Sequence, residues 1–342
     1  MLKQEVGMPG LGGLTLPPAS GARECPCPSQ SPAIARHEIL VVCKKSRFER
    51  EKATSHLSDD ELTAHYNALG ESGLRILAAH LHHRESIEVC ARELGPNQIV
   101  TLEDLKDPGI RSRFKLIIAL GGDDFFKLVS HQAKDALPIL GVNSDPRASV
   151  GALLPIAIEY LPDTLRQLER GDYRIEPWTR LSLKVGGVEC GSAINDVVLG
   201  KRDFRLTSKH ELEYRGEKVT QRSSGILIST GVGSTGWYSS AGLYLGVHDR
   251  SFPKSARYAR FELREPPVTF SENLGKRTAH LPRFVEGTIS EGEALRITSL
   301  NDDEGIVSRD SLDSIPFPRG TVADISIDPN PLNVLIPGGT QC

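Results

Sequence analysis

The stretch Lys115–Phe126, KLIIALGGDDFF, decides the fold. Its apolar run Leu116–Leu120 is short and β-branched enough to be a buried strand. The run stops on Gly121-Gly122 and then presents two carboxylates, Asp123 and Asp124. Open α/β sheets bind ligands outside the carboxyl ends of their strands. Glycine suits such a place because a Cβ would hold the backbone away from a phosphate. A plain strand and tight turn would explain the same residues equally well, so the reading rests on the company this stretch keeps.

Working outward, Glu38–Val42 reads as a strand that runs into Lys44, Lys45 and Arg47, three cations suited to phosphate as well as to a solvated turn. Asp60–His82 carries leucines at helical spacing with a break near Gly70. Ser86–Cys90 reads as a second strand, Gln98–Thr101 as an edge element, and Leu137–Val142 as a further buried strand. Strands alternating with helices predict a parallel, doubly wound first domain over residues 37–150. After a helix over Ile156–Gly171, short strands dominate: Arg180–Val185, Gly191–Leu199, His210–Tyr214, Gly225–Thr230, Leu295–Ser299, Gly305–Ser308 and Ala323–Ile327. They predict a β-rich second domain over 151–330. Residues 1–36, rich in Gly, Pro and Ser, read as a flexible tail, and 331–342 as a C-terminal tail.

The net charge of −3 and a pI near 6.4 give no basic field for nucleic acid or anionic membrane, and no apolar run approaches the roughly 20 residues that span a bilayer. Six scattered cysteines, including the Cys25-Pro26-Cys27 pair, show no CxxC or zinc-type spacing. A cytoplasmic protein of a reducing compartment is the expectation.

Two further stretches carry chemistry. Asn195-Asp196 sits inside the apolar run Ala193–Leu199; buried polar side chains there need partners, and a carboxylate can accept from two ribose hydroxyls. An Asx turn is the bland alternative. Ser224–Tyr238 is a buried strand, then a Gly/Ser/Thr loop, then Trp237-Tyr238. It offers N–H groups and hydroxyls to a phosphate or ribose and an aromatic ring to a base. It is neither a P-loop nor a GxGxxG fingerprint.

In this order, the three stretches resemble the NAD kinase family. Its Gly-Gly-Asp-Gly-Thr motif aligns with Gly121-Gly122-Asp123-Asp124-Phe125, its Asn-Glu motif with Asn195-Asp196, and its Thr-x-x-Gly-Ser-Thr-Ala-Tyr loop with Thr230–Trp237. Gly141–Pro146 and Ser223-Ser224-Gly225 look most like the mitochondrial-type branch. The resemblance implies a Rossmann-like α/β domain followed by a β-sandwich-like domain, with the phosphoryl group of ATP or polyphosphate passing to the 2′-hydroxyl of the adenosine ribose of NAD. It implies Asp123 as general base or metal ligand and Mg²⁺ on Asp123 and Asp124. Asn195, Asp196, Ser224, Thr235, Gly236, Trp237 and Ser240 would line the NAD pocket. Gly121, Gly122, Asp124, Lys44, Lys45 and Arg47 would face the donor, and a homo-oligomer is implied.

The chain departs from that pattern at Asp124, where the family has Gly, and at Phe125, where it has Thr. Two unit charges about 4 Å apart repel by roughly 4 kcal/mol at an effective dielectric near 20. Three outcomes fit: Asp124 binds a second Mg²⁺, it shifts the donor towards pyrophosphate or polyphosphate, or the chain is an inactive dinucleotide sensor.

Overall fold

The computed structural model describes residues 31–132, 137–242, 249–273 and 276–339. Residues 1–30, with Cys25 and Cys27, lie outside the described residues.

The first sheet is built on β1 (Ile39–Cys43), β2 (Ile99–Thr101), β3 (Leu116–Gly121) and β4 (Ile139–Asn143), all parallel, with β2 at one edge and β1 next to β3. Alternation along these strands feeds two separate cores. Leu40, Val42, Ile117 and Ala119 face one; Ile39, Val41, Leu116 and Ile118 face the other. Both faces are covered, as a parallel sheet requires. The short strand β5 (Ile156–Ala157) also pairs with β4.

Between β1 and β2 run α1 (Arg47–Ser55), α2 (Asp59–Ala68) and α3 (Glu71–Leu94). Ser46 with Glu49, and Ser58 with Glu61, form capping boxes that satisfy the free N–H groups at the starts of α1 and α2. The expected strand Ser86–Cys90 is instead the last part of α3. His83, Ser86, Cys90 and Leu94 are its buried residues, at spacings of three and four, and nothing before Gly95 breaks the helix. The β-branched Ile87 and Val89 misled the reading because neighbours along a helix face override propensity.

A short helix, α4 (Pro108–Arg111), precedes β3, and α5 (Asp123–Gln132) follows it directly. Then α6 (Leu161–Glu169) packs Leu161, Leu165 and Leu168 on the same layer as Cys90 and Leu94 of α3. Residues 31–36 are not free: Ser31 N–H donates to the Gly171 carbonyl and Ile34 N–H to that of Leu168, and Ile34 is buried.

Two further strands complete the sheet: β6 (Tyr173–Trp178), and a last strand of the chain over Leu332–Pro337 that lies between β4 and β6. The expected C-terminal tail is therefore largely a central strand. Leu332, Val334 and Ile336 fill one core and Leu335 the other, the period of a strand buried on both sides. The first sheet thus draws its strands from Ile39–Asn143, Ile156–Ala157, Tyr173–Trp178 and Leu332–Pro337.

The β-rich part stacks two six-stranded antiparallel sheets. One contains β7 (Leu181–Val185), β8 (Val188–Ala193), β10 (Ser208–Tyr214), β11 (Glu217–Ser223), β17 (Ala294–Ser299) and β20 (Val322–Ile327). The other contains β9 (Asp196–Lys201), β12 (Gly225–Ser229), β13 (Tyr258–Arg264), β16 (Glu286–Ser290), β18 (Gly305–Arg309) and β19 (Ile315–Pro316). Strands β14 (Thr269–Asn273) and β15 (Lys276–His280) form a separate hairpin. Leu183, Leu212, Ile297 and Ile325 from the first sheet meet Val197, Ile226 and Phe261 from the second, which makes a sandwich. The run Gly191–Leu199, expected as one strand, breaks at Ile194-Asn195 into β8 and β9, which lie in opposite sheets.

Candidate active site

The chain leaves β1 towards α1–α3 and leaves β3 towards α5; α3 and α5 feed different cores, so β1 and β3 flank the point where the winding reverses. A cleft of about 680 Å³ opens there. Lys44, Lys45 and Arg47 after β1 line it together with Gly122, Asp123 and Asp124 after β3. The two donor-side groups of the sequence thus meet. Arg50 and Arg75 add two cations from α1 and α3. Burial pushes the Lys44 ammonium below its ordinary range, with Asp145 opposing. Arg47 is committed to Glu51 at 2.6 Å.

The two glycines differ. A Cβ on Gly121 would meet Phe125 Cβ at 2.9 Å, so this glycine makes room for the phenyl ring that replaces the motif's threonine. Gly122 has nothing within 4 Å of that position and leaves its backbone open at the start of α5. Asp123 does not point at Asp124: its oxygens accept the N–H groups of Ala152 at 3.0 Å and Leu153 at 2.9 Å. Asp124 is exposed and accepts from Lys127 Nζ at 2.8 Å.

The second motif forms the break between β8 and β9. Its three successive N–H groups, of Ile194, Asn195 and Asp196, all donate to the buried carboxylate of Asp310 at 3.0, 2.7 and 3.1 Å. Helix α5 reaches the same residue: His131 Nε2 lies 2.7 Å from Asp310 Oδ2, and Lys127 Nζ donates to the Asp310 carbonyl at 3.1 Å. The glycine loop closes on the turn from the other side. Thr230 N–H donates to the Asn195 carbonyl, the Thr230 hydroxyl to that of Ile194, and a Cβ on Gly233 would stand 2.5 Å from Asn195 O. Ile194 and Val232 pack in one core with Phe125 and Phe126. All three motifs therefore converge.

Among the described residues, two buried acceptors in this convergence have no partner, Asn195 Oδ1 and Asp196 Oδ1. Burial pushes the Asp196 carboxyl up to about 7; Asp310 adds to the rise and Lys127 opposes it. Such atoms are candidates for a ligand's donors.

Comparison with known proteins agrees with this geometry. A protein described as "Probable NADH kinase" from Oryza sativa subsp. japonica is 25% identical over 281 residues, 75% of this chain and 82% of that protein. An "NAD kinase" from Clostridium perfringens is 31% identical over 159 residues, 44% of this chain and 55% of that protein. These likenesses support the NAD kinase family for this chain.

No family profile matches the chain. The alignment spans about half the length of the Clostridium relative. Two solved structures share the fold: an Archaeoglobus fulgidus NAD kinase in complex with ATP, at 16% identity and a TM-score of 0.52 over 86% of this chain and 92% of that one, and yeast NADH kinase complexed with NADH, at 14% and 0.56 over 89% and 84%.

Other residues of the NAD kinase motifs fall as follows. Thr235, Gly236, Trp237 and Ser240 are exposed at the start of α7 (Trp237–Ala241). Trp237, 39% exposed, carries the Arg264 guanidinium 4.5 Å from its ring centroid. Ser224 Oγ donates to Glu265, and its carbonyl accepts from Arg264. Ser224 lies at the far end of β12 from Thr230, roughly 20 Å away at the rise of a strand. Two of the loop's hydroxyls are spent within the fold, Thr230 on the Ile194 carbonyl and Ser234 on that of Gly231, whereas Thr235 is exposed. Gly231 and Gly233 are required by close backbone neighbours.

Sequence reasoning missed Asp310, His131, Lys127, Arg50 and Arg75. Arg50 shares Arg47's helix face at a spacing of three, a usable signal. Nothing in Arg309–Leu312 points 115 residues back to Asn195.

Proposed function

We propose that this chain transfers the terminal phosphoryl group of a donor to the 2′-hydroxyl of the adenosine ribose of NAD, giving NADP. The supporting observation is the pair of unpartnered acceptors on Asn195 and Asp196, fixed through Asp310 to the helix that starts at the cationic cleft. They suit ribose hydroxyls, and the cleft suits a polyphosphate. The Archaeoglobus relative is described in complex with ATP, and the proposal takes ATP first as donor, with pyrophosphate or polyphosphate as the alternatives.

Phosphoryl transfer rests on positioning and charge neutralisation. In this reading Asp123, held by two amides, accepts the proton of the attacking hydroxyl. Lys44, Lys45, Arg50 and Arg75 neutralise the donor. Thr235, Gly236, Trp237 and Ser240 take the rest of the dinucleotide. Among the described residues no cluster of three or more His, Cys, Asp or Glu could hold a metal alone. Mg²⁺ in nucleotide sites is held by one or two carboxylates plus phosphates, and a cleft-lining carboxylate fits that role. The Asp124 charge is already met by the Lys127 ammonium, whereas Asp123 accepts only from neutral amides, so we assign the metal to Asp123. The bound ion would neutralise charge on the donor phosphates.

Among the described residues no helix is long and apolar enough to cross a membrane. Free thiols at Cys43, Cys90 and Cys190 suit a reducing compartment and support a cytoplasmic assignment. A homo-oligomer is carried over from the resemblance alone, and the mass in solution tests it.

The test is NADP formation by the purified protein from NAD and Mg²⁺ with ATP, pyrophosphate or polyphosphate in parallel. Turnover with any donor supports the kinase. NAD binding without turnover supports the inactive sensor and overturns the kinase reading.

A further inference from the structure

Position 127 is a lysine on the buried face of α5, beside Phe126, Val129 and Ser130. A lone ammonium there would be expensive, and its location demands partners. It has two. Lys127 Nζ donates to Asp124 Oδ1 at 2.8 Å and to the Asp310 carbonyl at 3.1 Å. Asp124 is the residue whose charge conflicts with a polyphosphate, and its side chain is 84% exposed to the cleft. The lysine side chain beneath it is only 11% exposed. Pinned to a backbone carbonyl from below, the ammonium stays with the helix and is not free to move out into the cleft.

We infer that Lys127 is a positioning residue of the donor site: its ammonium cancels the charge of Asp124 and so makes an aspartate tolerable where the NAD kinase motif has glycine. This inference rests on the proposed kinase reading for its meaning, but its geometry and its test concern donor binding. It removes the electrostatic ground for reading Asp124 as an inactivating change. The pair adds a carboxylate and an ammonium three residues apart, so the net charge at the start of α5 matches that of a motif lacking both.

The test is the dissociation constant of Mg-ATP, and separately of pyrophosphate, measured by calorimetry on the full chain, with donor and NAD KM values beside it. Lys127→Met conserves volume and removes the charge. It should weaken donor binding tenfold or more, with NAD binding changed less than twofold. Adding Asp124→Gly to that variant should restore donor affinity, which repair of a general packing defect would not do. Asp124→Asn, at an exposed position that leaves folding intact, should tighten donor binding several-fold by leaving the ammonium uncancelled.

Unchanged donor affinity in Lys127→Met overturns the inference. So does a loss that Asp124→Gly does not reverse, which would assign Lys127 to the Asp310 turn alone. If Lys127→Met fails to fold, unchanged or weaker donor binding in Asp124→Asn overturns it. Donor binding that follows the expected pattern without NADP formation would refute the kinase reading and leave this inference standing; no donor binding by the wild-type chain would refute both.

Discussion

The Oδ1 atom of Asp310 accepts the backbone N–H of Asn195 at 2.7 Å, across 115 residues of chain. It ties the turn that presents Asn195 and Asp196 to β18, while His131 ties the same carboxylate to α5. Asp310 itself sits at φ 52°, a strained left-handed conformation for a non-glycine residue.

Asp310→Asn keeps the shape but loses the charge and one of the two acceptor oxygens. Unfolding in urea should show a loss of about 2–4 kcal/mol, the scale for leaving buried donors unpaired in a charged network. NAD affinity should fall tenfold or more. A variant as stable and as tight as wild type would remove Asp310 from the site's support.

Asp123→Asn retains an oxygen for one amide and cannot take a proton. NADP formation should fall by roughly 10²–10⁴-fold, the usual worth of a positioned base. NAD binding should stay within about threefold. Full activity would remove the base role.

The Asp196 carboxyl is raised to about 7 against an ordinary value of 3.8. Between those values the folded chain binds a proton that the unfolded chain has released, so this contribution is full below pH 4 and is lost as pH rises to 7. Asp196→Asn removes that slope. The difference in unfolding free energy between variant and wild type should grow in the variant's favour from pH 4 to 7, by about 1.4 kcal/mol per unit at most. His210, pushed down to about 4 by burial, acts oppositely: its share is complete above pH 6.5 and is lost towards pH 4. It is common to both proteins, so the difference isolates Asp196. A flat difference would show Asp196 ionised as usual.

Arg50→Ala and Arg75→Ala should each raise the donor KM about three- to tenfold while the NAD KM stays put. The effect should shrink at higher salt, since both cations face an open cleft. Arg47→Ala should cost less, because Glu51 already holds that guanidinium. Equal losses from all three would contradict the assigned geometry.

Much of this was legible one residue at a time. The apolar run before Gly121 and the alternation of strand and helix specify a parallel sheet, because a strand buried on both faces must be apolar throughout. Lys44, Lys45 and Gly122–Asp124 could be placed at strand ends from local pattern alone, and adjacent parallel strands put those ends side by side. The helix over Ser86–Cys90 was not legible from its own residues, since the sheet it packs on decides it.

The sequence by itself determined the fold class, the three motifs and the donor-side charges, since each depends on local periodicity or on short runs of residue types. Only the tertiary structure decided that Leu332–Pro337 enters the middle of the first sheet, that Asp310 holds the Asn195 turn, and that Lys127 neutralises Asp124. Those outcomes depend on which distant groups share one buried, low-dielectric space, where an unpaired charge or amide is costly enough to select its partner. Spacing along the chain carries no record of that selection.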